Sequence, residues 1–399
     1  MYRIETERGD IFDVNMMIAM EATVRGSATE NELVFAFNEA VASFEILNSK
    51  VVIDENGDAF YDKTALPQNS IRFKDIELCE LIREQERIRF RIEDGEFLRC
   101  FVSRANSETM KMVFLMHHLG GDGKSLMYFI EAFLKYLNGE KREYQRIVLL
   151  DKNTLPQAAK LPLWAKWLVK SYNKKWQKER RVFDFHDMSE AYEKFWENHS
   201  TVVRNEVTEG EKLREKLTAC KNGGAGFTSY TIAEMIQDSS RIQDVGLAVD
   251  GRLDGNRTMS NQATGISVKC KYDRNKSLVE NAVAIDKSMQ KKLNRIGFKY
   301  FVLRFMSEFD PTLVDAINLE FAGYFHSNIS DKLAKLLGYG YNTKDLSITN
   351  LTRIDIPTEY GNYRLTDLIF VPPVVSYGKN IIGMVTVGDR LNTAYHVYQ

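Results

Sequence analysis

Residues 116–125 read MHHLGGDGKS, and the offsets inside this short stretch decide how the rest of the chain is read. His117 and His118 stand side by side, followed by Asp122 and Gly123, which gives the pattern HHxxxDG. Ahead of it, ETMKMVFLM (108–116) is apolar and β-tolerant, with Val113, Phe114 and Leu115 forming the short continuous run of a mostly buried strand. Behind it, Leu126, Phe129, Ile130, Phe133, Leu134 and Leu137 recur at three- and four-residue spacings, which predicts an amphipathic helix stopped near Asn138-Gly139. Strand, tight polar loop and helix thus follow one another. That order puts the imidazoles at a strand end in the mouth of a cleft, with helix N-terminal N–H groups near enough to favour a developing negative charge.

Two other readings compete for the same residues. GGDGKS between a strand and a helix looks like the end of a phosphate-binding GxxxxGK[ST] loop, but the first glycine of that pattern falls on His118, so the backbone freedom needed to wrap phosphates is missing. The run IVLLD (147–151) resembles a nucleotide-site strand, yet four apolar residues before an aspartate are common in α/β proteins and decide nothing. The bland reading of the histidine pair is a strand cap satisfied inside the core. Tandem histidines with Asp and Gly at fixed offsets are harder to dismiss, and imidazole is the side chain whose ordinary pKa leaves it substantially neutral at cellular pH, as a general base must be.

HHxxxDG resembles the active-site signature of the chloramphenicol acetyltransferase and peptide-synthetase condensation-domain superfamily. Further segments follow in the right order: GEFLRCFV (95–102) before the motif strand, VDGR (249–252) like a short family motif ending in arginine, SITNLTRIDIP (347–357) like the opening of the final strands, and IGMVTVGDRL (382–391) as strand, Gly-Asp turn and strand. The resemblance implies an α/β chain of two chloramphenicol-acetyltransferase-like subdomains forming a pseudo-dimer, with a central tunnel and His118 near its middle. It implies acyl transfer from a thioester to a hydroxyl or amine, without an acyl-enzyme. His118 would be the general base and His117 would orient the loop; Asp122 would be structural, held by an arginine, and Gly123 would leave room for substrate and present its N–H. Ser347, Asn350 and Thr386 would be polar contacts near the reacting centre. No metal or bound organic cofactor is implied: coenzyme A or a phosphopantetheine arm would arrive as part of the acyl donor, and a carrier protein would come in trans.

The chain departs from the family pattern in two places. Asn48, in SFEILNS (43–49), stands where an arginine paired with the motif aspartate is expected, so either another residue such as Arg99 reaches Asp122 or the loop is held differently. The C-terminal DFGWG of the plant acyltransferases is absent. Asn48 is the one hint for the alternative class, a non-catalytic binding or scaffold protein; intact His118, Asp122 and Gly123 favour the enzyme.

At 399 residues, 44% hydrophobic and a formal net charge of -1, the chain can bury two substantial cores and carries no global bias towards nucleic acid. No apolar run approaches the roughly 20 residues that span a bilayer, and MYRIETERGDIFDVN is too charged for a secretory signal, so a cytosolic protein is expected. Cys79, Cys100, Cys220 and Cys270 lack metal-like spacing and read as reduced, mostly buried thiols. The organisation reads as an N-terminal subdomain (1–150) with a helix over 31–47, a crossover linker (151–184) and a C-terminal subdomain (185–399) with helical stretches near 228–242, 277–294 and 329–337. Within the linker, 160–181 holds eight basic side chains against one acidic, with Trp164, Trp167 and Trp176 interleaved. That segment is open to three readings: a helix packed by its Trp and Leu residues, a surface for an anionic membrane, or a dock for an acidic carrier protein or phosphorylated cofactor. CKNGGAGFT (220–228) reads as a flexible turn before a helix.

Overall fold

A computed structural model of the chain describes residues 1–399 except 65, 107, 254, 341–343, 377 and 379. The motif strand runs from Thr109 to His117 and lies deep in a mixed sheet, in the order β12-β13-β2-β7-β6-β5. These strands are β2 (Met17–Arg25), β5 (Ser70–Phe73), β6 (Leu98–Asn106), β7 (Thr109–His117), β12 (Glu359–Tyr360) and β13 (Tyr363–Val371). Because β2 and β7 are covered on both faces, their apolar runs are continuous rather than alternating. On one face the helix Gly123–Leu137 lays Phe129 and Phe133 edge-on against Phe114, with ring centroids 5.7 and 5.8 Å away, and Phe37 from the helix Glu30–Ser43 meets Phe129 at 5.9 Å. These are favourable edge-to-face spacings in a close-packed core.

A second mixed sheet has the order β10-β9-β11-β14-β15-β8, from β8 (Thr201–Glu209), β9 (Gln243–Asp250), β10 (Ala263–Cys270), β11 (Leu346–Arg353), β14 (Asn380–Val387) and β15 (Arg390–Tyr398). Its core is separate and includes Ile232, Val245, Ile348 and Met384. A small sheet of β1 (Tyr2–Arg3), β3 (Ser49–Ile53) and β4 (Ala59–Lys63) completes the β-structure among the described residues.

The two halves are not contiguous in sequence. β12 and β13 leave the second half to complete the first sheet, where β13 pairs antiparallel with β2, Leu365 opposite Val24 and Val371 opposite Ala19. The helix Phe185–Asn198 also packs on the first core, and its Trp196 Nε1 donates to Val14 O at 3.1 Å. The sheets then meet so closely that a Cβ on Gly383 of β14 would lie 2.2 Å from the Phe370 carbonyl oxygen of β13, an approach that only glycine permits. Asn392 on β15 fastens the same junction, donating to Asp367 Oδ1 at 2.6 Å and to Leu368 O at 2.8 Å.

The predicted helices appear as Glu30–Ser43, Phe227–Ile236, Leu278–Leu293 and Asn328–Leu337, with the first ending in a 3-10 turn over Glu45–Asn48. IVLLD (147–151) is extended coil rather than strand. Part of CKNGGAGFT is helical, since Gly210–Gly223 continues to Gly224, which ends the helix at φ 70. Cys100, Cys220 and Cys270 are buried, Cys79 is half-buried, and all four are free thiols.

Candidate active site

β7 ends on His117, and the chain turns at once through a 3-10 helix, His118–Gly120, into the helix that starts at Gly123. His117 is buried and points inward: its Nδ1 accepts the Leu119 N–H at 3.2 Å, and its ring meets Phe90 at 6.0 Å. Burial, then the positive charges of His118, Arg89 and Arg99, pushes its pKa down to about 3. His117 is therefore an uncharged ring at neutral pH, packed inside the turn.

His118 is positioned differently. Its backbone N–H donates to Met16 O at 2.8 Å, which anchors the turn to the start of β2, while its side chain is 18% exposed. The Nδ1 atom is buried without a hydrogen-bond partner and faces Asp10 Oδ2 at 3.8 Å, so the exposed part of the side chain lies away from Nδ1. Asp10 is itself held by Asn261, whose Nδ2 donates to Asp10 Oδ2 at 2.7 Å. Burial raises the Asp10 carboxyl above its usual range, and the charge of His118 and the Asn261 hydrogen bond only partly offset this. Behind the turn, the Tyr61 hydroxyl donates to Leu119 O at 2.8 Å and lies 3.1 Å from Glu7 Oε1. Burial and the nearby Asp10 push Glu7 well above the usual carboxylate range.

Asp122 caps the motif helix by accepting the Ser125 N–H at 2.9 Å. Its partner is Arg252, which grips it with both guanidinium arms, Nη1 to Oδ2 at 2.7 Å and Nη2 to Oδ1 at 2.9 Å. The Gln262 N–H adds a bond to Oδ2 at 3.1 Å. Burial alone would raise this carboxyl, but Arg252 and the N–H donors more than offset it, so the pKa is lowered. Arg252 also donates to Ser125 Oγ at 2.9 Å and to Asp250 Oδ1 at 3.2 Å. The turn between β9 and β10 is thereby clamped onto the motif loop.

Another residue does therefore reach Asp122 in place of an arginine at position 48, but it is Arg252 and not Arg99. Arg99 is saturated elsewhere, bidentate to Glu96 at 2.8 and 2.9 Å, donating to Ile88 O at 2.8 Å, and lying over the Phe90 ring at 4.0 Å. Asn48 instead caps the helix Glu30–Ser43, its Nδ2 donating to Val41 O and Phe44 O at 2.7 and 2.9 Å. Two further expectations change. A Cβ on Gly123 would lie 2.9 Å from Phe370 and 3.0 Å from Leu351, so its missing side chain makes room for the second half of the chain rather than for open space. The helix N-terminus, offered to a developing negative charge, already holds the carboxylate of Asp122.

No family model matches the sequence, and no curated protein does. Solved structures do match over nearly the whole chain. The first condensation domain of the calcium-dependent antibiotic synthetase, in complex with a substrate analogue, superposes with a TM-score of 0.63 at 14% identity, covering 98% of this chain and 87% of that one. The TRI3 trichothecene 15-O-acetyltransferase of Fusarium sporotrichioides gives 0.63 at 12% identity, with 99% and 89% covered. Polyketide synthase associated protein 5 of Mycobacterium tuberculosis gives 0.61 at 10% identity, with 98% and 92% covered. The chain has the condensation-domain fold.

Within the condensation fold, Ser347, Asn350 and Thr386 lie on the second sheet and form no hydrogen bond to the motif loop among the described residues. Ser347 sits on β11 between Gly246 of β9 and Ile381 of β14. The Asn350 amide is engaged, donating to Thr228 Oγ1 at 3.0 Å and accepting the Thr352 N–H at 2.7 Å. Thr386 accepts the Ile354 N–H through its backbone carbonyl at 3.1 Å. The residue of β11 that touches the motif is Leu351, against Gly123. Sequence reasoning missed Glu7, Asp10, Tyr61 and Asn261. The available signal was the spacing of Glu7, Asp10 and Asp13 around Ile11 and Phe12, two side chains that are fully buried.

Asp13 provides a pH test of this acidic segment. With His117, Asn15 and Tyr192 it lines a small cavity of ≈ 10 Å³. It accepts the N–H groups of Asn15 at 3.2 Å and Ser376 at 3.4 Å, yet burial still pushes its pKa up to about 6. A raised carboxyl favours the protonated fold, so its stabilisation is full below about pH 4 and is lost as the pH rises through about 6. Asp13→Asn keeps an acceptor for only one of the two N–H groups, so it should be less stable than wild type near pH 4, but the difference should move in its favour by up to about 3 kcal/mol as the pH rises through 6, read by denaturant unfolding. A difference that stays the same from pH 4 to pH 8 would show that Asp13 ionises without penalty.

Proposed function

We propose that this protein is an acyltransferase that moves an acyl group from a thioester to a hydroxyl or amine, with His118 as general base. The observation that carries the reading is the orientation of His118 on a loop clamped by Asp122 and Arg252: Nδ1 faces a carboxylate and the exposed part of the side chain lies away from Nδ1. The acceptor's O–H or N–H gives its proton to His118 Nε2 as the acceptor lone pair attacks the thioester carbon. The tetrahedral intermediate then collapses, the C–S bond breaks, and the imidazolium returns the proton to the departing thiolate. No acyl-enzyme forms. Asp10 helps because the imidazolium that arises in the transition state gains an opposite charge 3.8 Å from its Nδ1, in a region where water is largely excluded. Coenzyme A or a phosphopantetheine arm is the thiol portion of the donor, and donor and acceptor reach His118 along the seam between the two halves.

The reading is tested by release of free thiol from acyl-coenzyme A donors of graded chain length, and from acylated carrier protein, against pooled alcohols and amines. Asp10→Asn should retain activity but lower it by roughly ten-fold, about 1.4 kcal/mol for the opposite charge lost beside the imidazolium of the transition state. Turnover unchanged by Asp10→Asn would remove Asp10 from the mechanism. The non-catalytic scaffold reading loses its hint from Asn48, because Asp122 has an arginine from elsewhere in the chain.

A further inference from the structure

The basic helix Leu163–Trp176 turns Ala165, Val169 and Trp176 inward, and Trp176 Nε1 donates to Thr312 Oγ1 at 2.8 Å. Its opposite face is unusual. Leu163, Trp164 and Trp167 are 85%, 60% and 72% exposed. They do not stand alone: the Trp164 ring lies 6.0 Å from Phe301 and 6.4 Å from Phe305, in the helix Phe301–Ser307, and the same neighbourhood exposes Ile296, Phe298 and Val302. Scattered apolar side chains on a surface need no explanation, but this many in one place mark an interaction site.

Charge indicates what kind. Lys166, Lys170 and Lys174 are exposed on the same helix, and Arg295 lies over the Phe298 ring at 5.9 Å on the neighbouring one. Among the described residues none of the four is in an ion pair. Arg180 and Arg181, just beyond the helix, are exposed but already paired with Asp310 and Asp187. Tryptophans ringed by unpaired cations on an in-plane helix are what an anionic lipid surface takes up: the indoles sit at headgroup depth while the lysines meet the phosphates. Among the described residues no helix is long and apolar enough to cross a membrane, and a contact through this face is a peripheral one. We propose that the face formed by Leu163, Trp164 and Trp167 with Ile296, Phe298 and Val302 docks the protein on anionic membrane surfaces. Behind the patch, the buried Tyr300 hydroxyl donates to Gly251 O at 3.0 Å, next to Arg252. The docking itself does not depend on what His118 does.

The test is co-sedimentation of the whole chain with vesicles of phosphatidylcholine alone and of phosphatidylcholine with about 30% phosphatidylglycerol. Binding is expected to the anionic vesicles at about 50 mM salt, and to be largely lost at about 500 mM, where charges are screened within a few ångströms. Trp164→Ser/Trp167→Ser should weaken it by at least about ten-fold through lost apolar contact. Lys166→Ala/Lys170→Ala should weaken it by about 25-fold, about five-fold for each lysine. Lys212→Ala/Lys221→Ala, on the exposed face of the helix Gly210–Gly223, should leave it unchanged. All these side chains are exposed, so melting temperatures should stay at the wild-type value, which separates docking from unfolding. No binding to the anionic vesicles, or binding indifferent to the tryptophan pair, overturns the proposal. So does the alternative result, in which an acidic acyl carrier protein binds at this face and the vesicles do not.

Discussion

Arg252→Ala is expected to lower the unfolding free energy by about 3–5 kcal/mol, a large share of the 5–15 kcal/mol that holds a typical domain together. The deletion leaves Asp122 buried with two guanidinium bonds removed and only backbone and hydroxyl donors to hold its charge. It also unties the β9–β10 turn from the motif loop. Arg252→Lys should recover only part of the loss, because an ammonium is a single point charge and cannot supply the two parallel bonds of the guanidinium. The informative variant is the double one. Asp122→Asn/Arg252→Met removes both charges, and its cost should be clearly smaller than the sum of the two single changes, since most of each single cost is an unpaired partner. Denaturant midpoints measure all four chains. Strict additivity would mean that the pair is not the clamp described here. A pH dependence belongs to the same pair: the lowered Asp122 pKa contributes stability above about pH 4 that is lost as pH falls through its folded value, and Asp122→Asn should abolish that loss.

The second large effect concerns rate rather than stability. His118→Ala should reduce acceptor-dependent thiol release by about 10² to 10⁴, the usual range for a lost general base, while leaving the melting temperature close to wild type. The fold gives up little, because the ring is part-exposed and its Nδ1 has no hydrogen bond to lose. His117→Ala should do the reverse in emphasis: it empties a buried site against Phe90 and removes the acceptor for the Leu119 N–H, so stability falls along with activity. Thiol release that survives in His118→Ala would take that residue out of the chemistry. If His117→Ala were the inactive, fully stable variant, the two assignments would be exchanged.

The parts of this molecule that were legible in the sequence are the local ones. A strand into HHxxxDG into a helix is readable because periodicity and capping act within a few residues, and the helices near 278–293 and 328–337 were visible for the same reason. Arg252 was noticed as the end of VDGR, but the partner of Asp122 was left open, with Arg99 as one example, because nothing in a linear pattern reveals a contact across 130 positions. Asp10 and Glu7 were seen only as charge that argues against a signal peptide; what sequence does not show is that folding brings Asp10 within 3.8 Å of His118 and Glu7 against Tyr61. Trp164, Trp167 and Trp176 look alike in sequence, and only the packing of the helix separates the one that holds the core from the two that face outward. Ser347, Asn350 and Thr386 were placed by segment alone, and a strand segment does not say which of its residues turns towards a neighbouring sheet.

The strand that crosses between the halves also sets the order in which the molecule can be made. β13, which covers the outer edge of β2, leaves the ribosome more than 300 residues after it; the Thr366 hydroxyl bonds the Thr23 carbonyl across a separation of 343. Until β13 is made the first sheet therefore ends in an open, strongly apolar edge, the surface on which nascent chains pair wrongly with one another. Fragments ending before residue 371 keep that edge, and so should aggregate or recruit chaperones even when they contain the whole HHxxxDG loop. Final closure waits on a contact of very long range, which predicts slow folding limited by the return of this one ribbon.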